Sequence, residues 1–95
     1  MNWNKVECQA NCIIHSTGRA DLIKIPTTNW EFWHPSKLVR QYGKSGYMIS
    51  ISYTDDFSFN LKKKSKSGKS IVKEIEISGT AFADYFNNPS ENGLD

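Results

Sequence analysis

Apolar and polar residues alternate along several short segments of this 95-residue chain, which is the pattern of β-strands with one buried face. The longest alternation covers residues 47–54 and resumes with the same parity at 57–61. Its apolar positions are Tyr47, Ile49, Ile51, Tyr53, Phe57, Phe59 and Leu61. Because aspartates favour turns, Thr54-Asp55-Asp56 predicts a hairpin turn between two strands, and a bulge in one long bent strand is the alternative.

The segment 5–15 alternates in the same way and predicts a first strand. Its apolar face would consist of Val6, Cys8, Ala10, Cys12 and Ile14. Residues four apart on a strand are separated by about 13 Å, so Cys8 and Cys12 would lie beyond disulfide reach. His15 would point to the opposite face. We therefore predict two reduced, buried cysteines rather than a redox pair or a metal site completed by His15 and His34.

Three further segments predict strands, at residues 19–25, 30–34 and 71–77. Each is rich in apolar residues and is bounded by turn-forming residues. Pro35 cannot donate a hydrogen bond to a sheet, so the strand at 30–34 should stop there or lie at an edge.

Two segments have helical features. Residues 35–42 predict a short helix because Pro35 suits a first helical turn and Gly43 suits a C-cap, and a strand-like continuation is the alternative. Residues 78–80 offer an N-cap for a C-terminal helix, whose apolar residues follow at helical spacing. These residues are Ala81, Phe82, Tyr85 and Phe86.

The order of these elements predicts a mainly β (α+β) fold. We expect a small antiparallel, strongly curled sheet or partial barrel of five to six strands, with a C-terminal helix and the short helix near 35–42. Residues 1–87 would form a single compact domain, and residues 88–95 a polar C-terminal tail. A parallel sheet is disfavoured because the strands follow one another at short spacings.

Composition places the chain in the class of soluble intracellular proteins, with the cytoplasm as the expected location. No apolar run approaches 18 residues, and the first residues lack the basic and apolar regions of a signal peptide. The formal net charge is only +2, which excludes a histone-like polycation.

Catalytic and nucleotide-binding motifs are weak. Gly68-Lys69-Ser70 matches the end of a P-loop, but Lys63 replaces its first glycine and a strand rather than a helix follows. Asp55 and Asp56 are adjacent and would project apart on an extended chain. The two histidines lack local partners, so we predict a protein that is not an enzyme and has no metal site and no small-molecule cofactor.

The distribution of charge is more informative than its sum. Residues 37–73 hold nine basic and two acidic side chains, whereas residues 74–95 hold five acidic and no basic ones. A cationic surface of this kind predicts either nucleic acid or a protein with an acidic surface as the partner. The lysines at 62–73 would project from a hairpin tip, and Trp3 and Trp33 could be exposed. The candidate binding residues are Lys62, Lys63, Lys64, Lys66, Lys69, Lys73, Lys37, Arg40, Lys44, Trp30, Trp33 and Tyr42.

Two functions remain open from the sequence. The first is a small non-catalytic protein that binds nucleic acid through the lysine-rich hairpin. The second is a protein-binding inhibitor or modulator that acts on host nucleic-acid machinery through its cationic and aromatic surface. The Asn-, Lys-, Ile- and Ser-rich composition resembles that of small accessory proteins of bacteriophages or mobile elements, which is compatible with the second function. The oligomeric state does not follow from the sequence.

Overall fold

Two antiparallel sheets and one C-terminal helix make up the computed structural model, which describes residues 2–94. The eight strands are β1 (Trp3–Gln9), β2 (Ile13–Ser16), β3 (Ala20–Lys24), β4 (Trp30–Pro35), β5 (Val39–Tyr42), β6 (Met48–Thr54), β7 (Ser58–Lys64) and β8 (Ile71–Ser78), and the helix α1 spans Gly79–Asn87. The strand orders are β1-β6-β5 and β2-β3-β4-β7-β8. The predicted antiparallel, mainly β fold with a C-terminal helix is confirmed, with eight strands between residues 2 and 94 rather than five to six.

The chain passes from one sheet to the other at three corners. A 3-10 turn at Ala10–Cys12 joins β1 to β2, and a second at Ser36–Leu38 joins β4 to β5. The third corner is residues 54–57, where the Phe57 N–H donates to the Thr54 carbonyl at 3.1 Å. This turn forms as predicted, but β6 and β7 enter different sheets and do not pair, so the predicted hairpin is wrong.

Two other predicted elements change at these corners. The strand predicted at 5–15 is wrong as one continuous element, because the turn at Ala10–Cys12 divides it and leaves Ile14 exposed. Residues 35–42 form a 3-10 turn followed by β5, which is the strand-like alternative to the short helix. Both changes follow from the transfer of the chain between sheets, which local alternation does not record.

Aromatic side chains from both sheets and from the helix form the centre of the core. The rings of Phe59 on β7 and Phe82 on α1 stack with centroids 3.8 Å apart. Phe82 also meets Phe32 of β4 at 5.1 Å and Tyr53 of β6 at 5.0 Å, both edge to face. Such pairs add about 0.5–1.5 kcal/mol each to the hydrophobic contribution. The helix therefore ties together three strands that belong to two sheets.

The start of α1 lies directly on the third corner. The Gly79 N–H donates to the Phe57 carbonyl at 2.7 Å. A Cβ atom on Gly79 would lie 2.2 Å from the Thr54 carbonyl oxygen, so only glycine permits this approach. After the helix, Leu94 is buried at 2% exposure and joins the core, so the segment predicted as a polar tail contributes an apolar contact.

His34 is buried at the junction of the two sheets. Its Nε2–H donates to the Ser52 carbonyl of β6 at 2.7 Å. Ser52 lies next to Ile51, the residue of β6 that pairs with Val39 at the start of β5. The ring also stacks on Phe59 at 5.6 Å and packs against Phe57. Burial lowers the pKa of His34 below its usual range, and this outweighs the hydrogen bond to Ser52 and the charge of Asp21.

This burial predicts a loss of stability in mild acid. Because the pKa of His34 is lower in the folded state than in the unfolded state, the unfolded chain binds the proton first as the pH falls. The contribution of His34 to the free energy of unfolding should be constant above about pH 7 and decrease below about pH 6.5, by at most about 1.4 kcal/mol per pH unit. Urea unfolding at pH 5.5 and 7.5 measures the difference. This difference in the free energy of unfolding should be smaller in His34→Gln and unchanged in the exposed control His15→Gln. Equal wild-type stability at both pH values would contradict a lowered pKa of His34.

Candidate nucleic-acid interface

The strands β7 and β8 and the turn between them carry six lysines and are called the lysine hairpin below. In its register Lys63 lies directly opposite Lys73. Two ammonium groups in this arrangement repel each other, which destabilises the pair of strands. The turn beyond them is ordered by backbone hydrogen bonds from Ser65 to Ser70 and from Gly68 to Ser65. Lys66 and Lys69 are exposed on this turn.

Two of the hairpin lysines have anionic neighbours on the five-stranded sheet, Lys62 in a row of alternating charges and Lys64 in an ion pair. Lys24, Glu31, Lys62 and Glu74 lie opposite one another in that order on β3, β4, β7 and β8. Glu31 is only 5% exposed, and Lys64 Nζ lies 3.5 Å from its Oε1. Between residues 2 and 94 that contact is the one ion pair within 4.0 Å. The hairpin lysines outside both the row and the ion pair are Lys63, Lys66, Lys69 and Lys73.

A second basic surface lies on the outer face of the three-stranded sheet. The central strand β6 presents the small side chains Ser50 and Ser52 there, between taller residues of its two neighbours. The result is a groove of about 330 Å³, called the sheet groove below. Its lining residues are Trp3, Lys5, Lys37, Leu38, Arg40, Ser50 and Ser52.

Tyr42 is the last residue of β5, on the same sheet as the groove. Its hydroxyl donates to the carboxylate of Glu7, which joins β5 to β1 over the central strand. The pKa of Tyr42 is raised, mainly by the hydrogen bond to Glu7 and to a lesser extent by desolvation. Glu7 lies opposite Ser50 in the register of β1 and β6, so it borders the groove floor, whereas the groove lining itself carries three cations and no carboxylate.

The remaining predicted residues lie elsewhere. Trp30 is 3% exposed, and its indole N–H has no hydrogen-bond partner in the part of the chain that the structure describes. Trp33 is 46% exposed on the outer face of the five-stranded sheet, where it meets His15 edge to face. Lys44 is exposed on the 3-10 turn Lys44–Gly46. Trp30, Trp33 and Lys44 thus lie outside the sheet groove. Of the predicted binding residues, Lys37 and Arg40 come together in its lining.

Four residues that line the sheet groove are absent from the binding residues predicted from the sequence, namely Trp3, Lys5, Ser50 and Ser52. Trp3 and Lys5 share the strand parity opposite to the buried Val6 and Cys8, which is a signal for exposure on the same face. The two serines stand between Ile49, Ile51 and Tyr53 in the clearest alternation. Their combination into one groove depends on strand register, which joins residues far apart in the chain.

Cys8 and Cys12 line a separate cleft of about 580 Å³ beside the first corner. Both are free thiols, and Cys8 is buried as predicted whereas Cys12 is only half-buried. The predicted wide separation of the two is wrong, because the 3-10 turn Ala10–Cys12 brings the thiols within hydrogen-bonding reach of each other. Burial and the neighbouring Cys12 raise the pKa of Cys8 to about 12, so this thiol is protonated near neutral pH. Across residues 2–94, no group of three or more His, Cys, Asp or Glu side chains is arranged to hold a metal ion.

No family model, no curated protein and no solved structure matches this chain. Among the described residues, no helix has the length and apolar character needed to cross a membrane. The two basic surfaces, the lysine hairpin and the sheet groove, are therefore the candidate binding sites.

Proposed function

We propose that this protein is a small, non-catalytic nucleic-acid-binding protein that contacts the phosphate backbone through the lysine hairpin. The observation that carries the proposal is the placement of Lys63 directly opposite Lys73, next to a turn with two more lysines. Like charges in opposed positions weaken a sheet. A polyanion that lies across them would turn this repulsion into attraction, since each lysine that neutralises a phosphate releases a counterion.

The residue types support contact with phosphates rather than readout of base edges. All basic side chains of the hairpin are lysines, which act as compact point charges and lack the planar fork with which arginine binds a guanine edge. The charge row around Glu31 provides a contrast within the same hairpin. Lys62 and Lys64 have anionic neighbours in the protein itself, so they are better explained by stability of the sheet.

Replacing the four hairpin lysines without anionic neighbours tests this proposal. We expect the combined change Lys63, Lys66, Lys69 and Lys73→Gln to lower duplex DNA affinity at low salt. It should also make the slope of log affinity against log salt shallower by about 3–4, since each phosphate contact contributes about 0.9. Fluorescence anisotropy with a labelled 20-base-pair duplex across a salt series measures both quantities.

Two single changes provide a matched control. Lys66→Gln and Lys44→Gln each remove one exposed lysine from a turn, but only the first lies on the hairpin. Lys66→Gln should reduce the salt slope by about one and Lys44→Gln should leave it unchanged. If the two changes reduce the salt slope equally, duplex affinity depends only on the net charge of the protein, and a binding site on the hairpin is rejected.

Protein binding is the second candidate function, and the outer strand β8 favours it. Among residues 2–94, β8 pairs with β7 alone, and six of its eight residues are exposed, including Ile71 and Val72. Such an edge can accept an extended segment of a partner, which would suit an inhibitor or modulator. Lys73, Glu74 and Glu76 on the same strand also match the charges that protect an edge from pairing, so this function ranks second.

A further inference from the structure

The sheet groove combines an exposed aromatic ring, three cations and a floor of hydroxyl groups. We infer that it is a second contact site that takes a single-stranded stretch of nucleic acid, with an unpaired base stacked on Trp3 and phosphates held by Lys5, Lys37 and Arg40. The inference rests on the proposed function and specifies it, because the lysine hairpin alone would not distinguish single strands from duplex.

The geometry of the groove fits an extended chain. One wall stands on β1, and the other on β5 and the 3-10 turn Ser36–Leu38 before it. Because β1 and β5 flank β6, the walls are separated by two strand spacings or about 10 Å. Between them Ser50 and Ser52 leave room and offer hydroxyl groups that can donate hydrogen bonds. A duplex is too wide to enter this space, whereas one strand can lie along β6 with its phosphates toward the walls.

Trp3 is placed to stack on a base. Its side chain is 61% exposed, the largest exposure among the big apolar side chains at residues 2–94. Lys5 is two residues further along the same face of β1, about 6.6 Å away, so one nucleotide can reach both side chains. Stacking of bases on aromatic rings beside a basic groove is how many proteins hold single strands without sequence preference.

The charges of the groove select an anionic occupant. Lys37 and Arg40 stand on the wall opposite Lys5, and Arg40 can grip a phosphate with two parallel hydrogen bonds. Glu7, the carboxylate on the same face, lies opposite Ser50 and accepts a hydrogen bond from the Tyr42 hydroxyl. These features favour a polyanion with flat, stackable groups over an acidic peptide, which would match the cations but leave Trp3 without a planar partner.

The exposed tryptophans provide a matched pair of variants. We expect Trp3→Ala to weaken binding of a labelled 12-nucleotide oligo(dT) by about 5- to 150-fold, the range observed for loss of one base stack. Affinity for a duplex should stay within about twofold of wild type. Trp33→Ala removes a similar ring from the five-stranded sheet and should leave both affinities unchanged, and Trp3→Phe should restore most of the oligo(dT) affinity.

Charge removal in the groove gives a second readout. The combined change Lys5, Lys37 and Arg40→Gln should make the oligo(dT) salt slope shallower by about 2, at about 0.7 per phosphate contact on a single strand. Normal oligo(dT) binding by Trp3→Ala, or an equal loss with Trp33→Ala, would overturn the groove assignment.

The same titrations separate failure of the groove from failure of the proposed function. If the four-lysine hairpin variant loses binding while the groove variants retain it, the hairpin stands and the groove inference is rejected. If the wild-type protein binds neither oligo(dT) nor duplex at low salt, both proposals fall. Binding of poly-glutamate but not of oligonucleotides, lost in the groove variants, would identify the groove as a protein-docking surface and reject nucleic acid as its ligand.

Discussion

Replacing Phe82 by alanine is expected to lower the free energy of unfolding by about 3–5 kcal/mol. The ring is fully buried and contacts aromatic side chains of β4, β6 and β7. Its removal leaves a cavity at the point where the helix joins both sheets, and the stacked ring of Phe59 loses its partner. A domain of this size is typically stable by only 5–15 kcal/mol, so the variant should be partly unfolded under mild conditions.

Thermal and urea unfolding followed by circular dichroism measure this loss. The midpoint of thermal unfolding should fall by more than about 10 °C, at roughly 4–8 °C for each kcal/mol in a small domain. Asp84→Ala is the matched control, because Asp84 is exposed on the same helix and its replacement should change stability by less than about 0.5 kcal/mol. A loss below about 1 kcal/mol in Phe82→Ala would contradict the docking of α1 against the two sheets.

The alternation of apolar residues identified the buried faces well. Ile49, Ile51 and Tyr53 are buried on β6, and Phe59 and Leu61 on β7, as their parity predicts. Tyr47, predicted on the same face, is exposed because it precedes the start of β6. Parity states which side of a strand is buried, but it says nothing about which strand lies beside it. The Thr54-Asp55-Asp56 turn shows this limit, because the same turn residues suit a hairpin and a corner between two sheets.

The number of lysines in a segment likewise does not show which of them are paired with carboxylates in the folded protein. The sequence contains six lysines between residues 62 and 73, but it does not show that Glu31 faces Lys62 and contacts Lys64 from another strand. Which lysines remain available to a ligand is decided by cross-strand register. The sheet groove has the same origin, since Trp3 and Arg40 line it from opposite sides of β6 although 37 positions separate them in the chain.

The affinity of the wild-type protein for duplex DNA should fall steeply as salt is raised. Four hairpin lysines in contact with phosphates predict a slope of about −3 to −4 for log affinity against log salt. Between 50 and 200 mM salt this corresponds to a loss of about 100-fold. The effect is large because each contact releases a condensed counterion, and that release is less favourable at higher salt.

This salt titration, with a labelled 20-base-pair duplex and unmodified protein, tests the central claim most directly. The claim predicts measurable binding at 50 mM salt, a linear double-logarithmic plot with a slope of about −3 to −4, and a shallower slope in the four-lysine hairpin variant. Absence of binding at 50 mM salt, or an affinity that does not change up to 200 mM, would contradict nucleic-acid binding through the lysine hairpin.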